Sequence, residues 1–141
     1  MINAIIEAVS RALKDEFGSR YKIHMEEKQQ DLQEPCFFIS CINPTNVLFL
    51  KKRYFRQNQI CVQYFPETKK KNMECHETAE RLFVCLEYLT VEGVSVRGTK
   101  MKYEVIDGIL HFFVNYDLFV CRAAEPEDTI EEVSYGASVK G

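Results

Sequence analysis

The strongest constraint on this chain lies in its second half. Asp107-Gly108 separates two strand-like runs, Val94 to Ile106 and Ile109 to Cys121. Asp-Gly favours a two-residue turn in which both residues take positive φ, and such a turn joins antiparallel strands. In the second run Leu110, Phe112, Val114, Tyr116, Leu118 and Val120 alternate without a break. Successive strand side chains point to opposite faces, so this set defines one buried face. The other face carries Ile109, His111, Phe113, Asn115, Asp117 and Phe119, a mixed set suited to water or to a partner. Gly98 marks a bulge in the first arm. A chain organised around this hairpin must cover one face of an antiparallel sheet.

Two segments can provide the cover. Ile2, Ile5, Ile6, Val9, Leu13 and Phe17 recur at the spacing of one helix face, and Gly18 follows as a stop. The acids Glu7, Asp15 and Glu16 and the lack of a continuous apolar stretch make this a folded helix rather than a secretion signal. A second helix is expected near residues 73–90, with Asn72 as its cap and Glu74 and Glu77 in its first turn. Its apolar face is Cys75, Ala79, Leu82, Phe83, Leu86 and Leu89, and Gly93 closes it.

Between the helices lie further strands. Tyr21 to Glu26 alternates apolar and polar residues. Gln29 to Pro35 is a polar connector, and Cys36 to Ile42 is apolar on both faces, as a central strand is. Asn43-Pro44-Thr45-Asn46 reads as a turn. Val47 to Phe55 starts apolar and becomes basic at Lys51, Lys52 and Arg53. Arg56-Gln57-Asn58 reads as a hairpin turn into Gln59 to Phe65, which Pro66 ends. The successive hairpins do not fit parallel crossovers. The expected fold is α+β, a mainly antiparallel sheet with two amphipathic helices on one face. Residues 1–121 form a single domain, and 122–141 form an extended acidic C-terminal tail.

Charge is distributed unevenly. The net charge is −3, but Glu125, Glu127, Asp128, Glu131 and Glu132 all lie in residues 124–141, against Lys140 alone. The body is therefore near neutral. No apolar run approaches the roughly 18 residues of a membrane-spanning helix, so no membrane partner is expected.

The chain lacks the motifs of common chemistry. It has no Gly-rich phosphate loop, no GxSxG elbow and no HExxH. The six cysteines include no CxxC pair, Cys36 and Cys41 point to opposite faces of a strand, and Cys75 and Cys85 lie about 80° apart on a helix. They read as reduced, buried thiols, and no metal or cofactor is expected. Cys75, beside His76 and downstream of Lys69-Lys70-Lys71, is the best placed candidate for a reactive thiol; the plainer reading makes it the start of the helix's apolar face. Lys51-Lys52-Arg53 and Lys69-Lys70-Lys71, with Tyr54, Phe55, Tyr64 and Phe65 among them, suggest a single-stranded nucleic-acid-binding module as an alternative. A third reading is protein contact, with the basic hairpin of one subunit against the acidic tail of its neighbour.

Taken together, the features resemble a known family. An amphipathic helix at residue 2 is followed by Tyr21-Lys22-Ile23-His24 and by Glu34-Pro35-Cys36-Phe37-Phe38-Ile39. A hairpin ends in Val62-Gln63-Tyr64-Phe65-Pro66, and after the second helix the Asp-Gly hairpin ends in Phe112-Phe113-Val114-Asn115-Tyr116. Over residues 1–121 this resembles the small tail terminator proteins of contractile-tailed phages, defective prophages and R-type bacteriocins of Gram-positive bacteria. The resemblance implies a structural role without catalytic residues or cofactors. Its members form a hexameric ring on the end of the tail tube, stop tube polymerisation, and meet the sheath end and, in a phage, the head connector. They assemble in the bacterial cytoplasm and leave with the particle.

On that reading the subunit and partner contacts fall on 47–65 and 109–121. The expected residues are Lys51, Lys52, Arg53, Tyr54 and Phe55 on the hairpin and Phe113 and Phe119 on the last strand. The tail adds Glu125, Glu127 and Asp128 as its acids and Ile130, Val133 and Tyr135 as its docking pattern.

Overall fold

A computed structural model of the chain describes residues 2–25, 34–122 and 133–135. Its elements are α1 (Ile2–Phe17), β1 (Lys22–His24), β2 (Cys36–Leu50), β3 (Arg53–Phe65), α2 (Lys71–Cys85), β4 (Tyr88–Val91), β5 (Val94–Arg97), β6 (Thr99–Ile106), β7 (Ile109–Arg122) and β8 (Val133–Tyr135). The main sheet runs β1-β2-β3-β7-β6, with β8 also paired to β7, while β4 and β5 form a separate two-stranded sheet. All pairs are antiparallel except β1 with β2. The fold is α+β, as expected.

The core follows the sequence periodicities. Ile5, Val9 and Leu13 of α1 and Cys75, Ala79 and Leu82 of α2 are buried. They join Phe37 and Ile39, Ile60, Val62 and Tyr64, and Leu110, Phe112 and Val114 in one cluster. The strand residues share a face because Ile60 pairs with Val114, Val62 with Phe112 and Tyr64 with Leu110. α1 ends where Gly18, at φ 89°, donates its N–H to the Lys14 carbonyl at 2.9 Å. Arg81 of α2 then ties to that end: it donates to the Glu16 carboxylate at 2.9 Å and the Glu16 carbonyl at 2.8 Å, and stacks over Phe17. A cation at the carbonyl end of a helix is favourably placed.

The Asp-Gly turn forms as read. Asp107 and Gly108 take φ 54° and 74°, and Ile106 pairs with Ile109.

Four expectations are corrected. Asn43-Pro44-Thr45-Asn46 is not a turn but an irregularity within β2, where the register with β3 shifts between Ile42 and Thr45 and Asn43 takes φ 49°. Beyond Ile39 this strand has a partner only on the β3 side among the described residues, and an edge strand tolerates proline. The hairpin turn is not at Arg56-Gln57-Asn58 but at Lys51-Lys52, with Lys51 at φ 42°. Arg56, Gln57 and Asn58 continue β3, paired with Leu118, Asp117 and Tyr116, and Asn58 is buried with its amide donating to the Tyr116 carbonyl.

The second helix stops at Cys85, and Tyr88–Val91 is a strand. Glu92 and Gly93, at φ 52° and 83°, form a tight turn into β5, so Gly93 closes a hairpin rather than a helix. The helix starts after Lys70 without a side-chain cap, and Asn72 lies inside its first turn. Finally, Gly98 divides the first arm of the Asp-Gly hairpin into strands of two sheets. A Cβ there would lie 2.7 Å from Val114 and 2.8 Å from the Leu86 carbonyl, so only glycine fits without displacement.

Candidate functional site

The irregularity at Asn43-Pro44 decides what the β2–β3 hairpin presents. Before it, Phe38, Ser40 and Ile42 share the face turned away from the helices; after it, Thr45 and Val47 do. One extra residue reverses the alternation of the side chains that follow, as far as the second register shift between Leu48 and Leu50. Val47, Phe55 and Phe119 are thereby brought into one cross-strand row. The Phe55 and Phe119 rings lie 5.0 Å apart, and the Arg53 guanidinium sits 5.5 Å from the Phe119 centroid. The opposite face of the same arm carries the row Leu48, Tyr54, Val120.

Toward the turn the arm is bare. Val47, Leu48 and Leu50 are 54, 56 and 55% exposed, large values for aliphatic side chains so close together. Lys51 and Lys52 form the exposed tip. The helices pack on the early part of β2 and on β6 and β7, so the arm presents an apolar knuckle with a basic end. Contiguous exposed apolar groups rimmed by charge mark contact surfaces. The Nε atoms of Arg53 and Arg56 are buried here without a hydrogen-bond acceptor among the described residues.

The expected contact residues are thus partly united. Lys51, Lys52, Arg53, Phe55 and Phe119 gather on the arm, with Tyr54 on its other face. Phe113 is on the same outer face as Phe119 but further down the sheet, under Lys102 at 5.7 Å and opposite Cys61. Glu125, Glu127, Asp128 and Ile130 lie outside the described residues. Val133 and Tyr135 belong to β8, paired with Arg122 and Val120, so this part of the tail docks on its own chain's β7. The sequence reading missed Val47, Leu48 and Leu50; the signal was an aliphatic run leading directly into the lysines.

The alternative chemistries fare poorly. Lys69-Lys70-Lys71 borders the Asp107-Gly108 turn, at the opposite end of the sheet from the arm. Arg53 and Tyr64 are separated by the length of one strand, roughly 36 Å at about 3.3 Å per residue. The two basic groups therefore do not line one groove. Tyr64 is buried, donating its hydroxyl to Glu74, and is not available to stack on a base. Cys75 is fully buried, and burial pushes its thiol up rather than down; Cys36 and Cys61 are pushed up to about 11 and Cys85 to about 12. A nucleophilic thiol needs the opposite shift. Among the described residues there is no metal-binding group of three or more His, Cys, Asp or Glu, and no helix long and apolar enough to cross a membrane.

A helix-backed sheet with an exposed apolar and basic arm defines a protein whose visible surface chemistry is that of protein contact. The family comparison gives this class its place: residues 4–128 match the model of a family described as phage tail terminator protein, and the chain belongs to that family. It is a structural protein of the phage tail, in a family that is not one of enzymes. The search of curated proteins found no match.

Proposed function

We propose that the chain forms a ring, hexameric as in the terminators it resembles, on the end of the tail tube of a contractile phage tail or bacteriocin. The ring halts tube growth and offers a surface to the sheath end and, in a phage, to the head connector. The observation that carries this reading is the β2–β3 arm. Its exposed Val47, Leu48 and Leu50 need cover, and its Lys51, Lys52 and Arg53 select an acidic partner. The acids of the tail, Glu125, Glu127 and Asp128, and Ile130 add to the same contacts, while the pairing of Val133 and Tyr135 with β7 anchors the tail on its own chain.

The test is native mass across concentration and salt, alone and with the cognate tube protein. A ring, free or on tube ends, is expected. Reversing Lys51, Lys52 and Arg53 to glutamate is expected to weaken assembly and flatten its salt dependence while leaving the thermal melt of the monomer in place. A chain that forms no ring and ignores tube ends, yet is held by a single-stranded oligonucleotide in a salt-dependent way, would return the nucleic-acid reading.

A further inference from the structure

The arm needs a seat, and three clefts on the described surface can be compared for it. One lies beside the Asp107-Gly108 turn and is bordered by Lys69, Lys70 and Lys71, which repel a basic tip. A second is lined by Lys69, Lys70 and Arg81, three cations against a basic tip, and of its carboxylates Glu67 pairs with Arg20 and Glu74 accepts from Tyr64, Thr68 and the Glu67 backbone, which leaves Glu77 among those cations.

The third cleft, about 360 Å³, lies between α1 and the start of β4. Its floor is apolar, formed by Ala8, Ala12 and Leu89, and the ring of Tyr88 stands 59% exposed at its side. Asp15 and Glu16 supply its acidic wall. Glu16 already binds Arg81, which leaves the exposed Asp15 as the better placed carboxylate. Arg11 is also on the wall, where its guanidinium donates to the Thr90 carbonyl at 3.5 Å.

We infer that the cleft between α1 and β4 receives the β2–β3 arm of a second copy of this chain, with Leu50, next to the tip, on its apolar floor and Lys51 and Lys52 toward Asp15 and Glu16. The inference rests on the ring reading and specifies its contact. Two features support it. The cleft pairs an apolar floor with acid, matching the arm's apolar knuckle and basic tip. The arm and the cleft are also different surfaces of one subunit. A contact between unlike patches is head-to-tail, and such contacts close into rings when the rotation allows. A like-to-like contact of two arms would instead stop at a dimer and set lysine against lysine.

The experiment is a charge-exchange cycle on the full chain, reading the concentration at which half the protein is in rings, alone or on tube ends. Asp15→Lys alone and Lys51→Glu with Lys52→Glu are each expected to raise that concentration about tenfold, the size of one moderate charge contact. All three changes together are expected to return it to within about threefold of the parent. Thr90→Trp, at the exposed cleft wall, is expected to block ring formation while the thermal melt of the monomer is kept. Rings that form with the parent midpoint in Asp15→Lys and Thr90→Trp overturn this inference and leave the ring reading standing, as does a triple variant no better than its parts. Absence of rings in the unmodified chain, with or without tube protein, overturns both.

Discussion

The phenol of Tyr116 donates a hydrogen bond to the backbone carbonyl of Leu86, 2.6 Å away and 30 residues earlier in the chain. Leu86 follows the last residue of α2, so its carbonyl is an acceptor at a helix end, and both residues are fully buried. Water cannot supply the missing donor there. Gly98 approaches the same carbonyl and donates its own N–H to Glu87 at 2.7 Å. One small region therefore joins the end of α2, the middle of β7 and the break between β5 and β6.

Replacing Tyr116 by phenylalanine keeps the ring and removes the donor. The loss of a buried hydrogen bond, with the carbonyl left unpaired, is expected to cost about 1–3 kcal/mol. Urea denaturation of the two proteins measures it. An unchanged midpoint would show that the bond contributes nothing net.

Gly98→Ala adds a methyl group where Val114 and the Leu86 carbonyl already stand at 2.7 and 2.8 Å. Overpacking of this kind costs about 1–3 kcal/mol. Val114→Ala in the same background is expected to relieve the side-chain clash but not the one with the carbonyl, so rescue should be partial. Full rescue would assign the whole cost to Val114.

Glu74 contributes to the pH dependence of stability on the acid side. Burial raises its carboxyl, but hydrogen bonds from the Thr68 hydroxyl, the Tyr64 phenol and the Thr68 and Glu67 amides outweigh that and hold it below the ordinary value. A carboxyl lowered in the folded state contributes stability above its unfolded pKa, and that stability is lost as pH falls through the folded value. Glu74→Gln is expected to cost about 1–2 kcal/mol at pH 7, from weaker hydrogen bonds to a neutral acceptor. The gap to the parent should close in strong acid. A gap independent of pH would point to packing instead of charge.

Asp117 has the opposite sign. Burial raises its carboxyl, only partly countered by Lys100 and by the Asn58 backbone N–H, and one of its oxygens is buried without a partner among the described residues. A raised carboxyl favours folding below its unfolded pKa and loses that benefit as pH rises through the folded value. Asp117→Asn should therefore raise the thermal midpoint at pH 7 and leave it nearly unchanged near pH 3. A lower midpoint at pH 7 would show that Lys100 holds Asp117 more strongly than burial opposes it.

Much of the fold was legible before any coordinates. α1 spans Ile2–Phe17 as its periodicity indicates, and the six apolar residues of β7 that alternate from Leu110 to Val120 are all buried. The candidate site was only half legible. Lys51 and Lys52 stood out as charge, whereas Val47, Leu48 and Leu50 looked like an ordinary strand interior. Aliphatic side chains carry the same pattern whether a sheet covers them or leaves them bare.

Local pattern was therefore enough for the two helix faces, the buried face of β7 and the Asp107-Gly108 turn, because each depends on neighbours within a few residues. Elsewhere the outcome was decided by distant partners. Arg56-Gln57-Asn58 looks like a turn until β7 supplies the Tyr116 carbonyl that accepts from the Asn58 Nδ2 inside the sheet. Leu86 and Leu89 fit a helix until the Glu92-Gly93 turn folds Tyr88–Val91 back as a strand and Tyr116 takes up the Leu86 carbonyl. Asn43-Pro44 looks like a chain reversal until β3 continues beside it and leaves a single shift in register. Polarity and periodicity report what a segment can bury; only the packed structure supplies the hydrogen-bond partners that decide where a strand continues and where it turns.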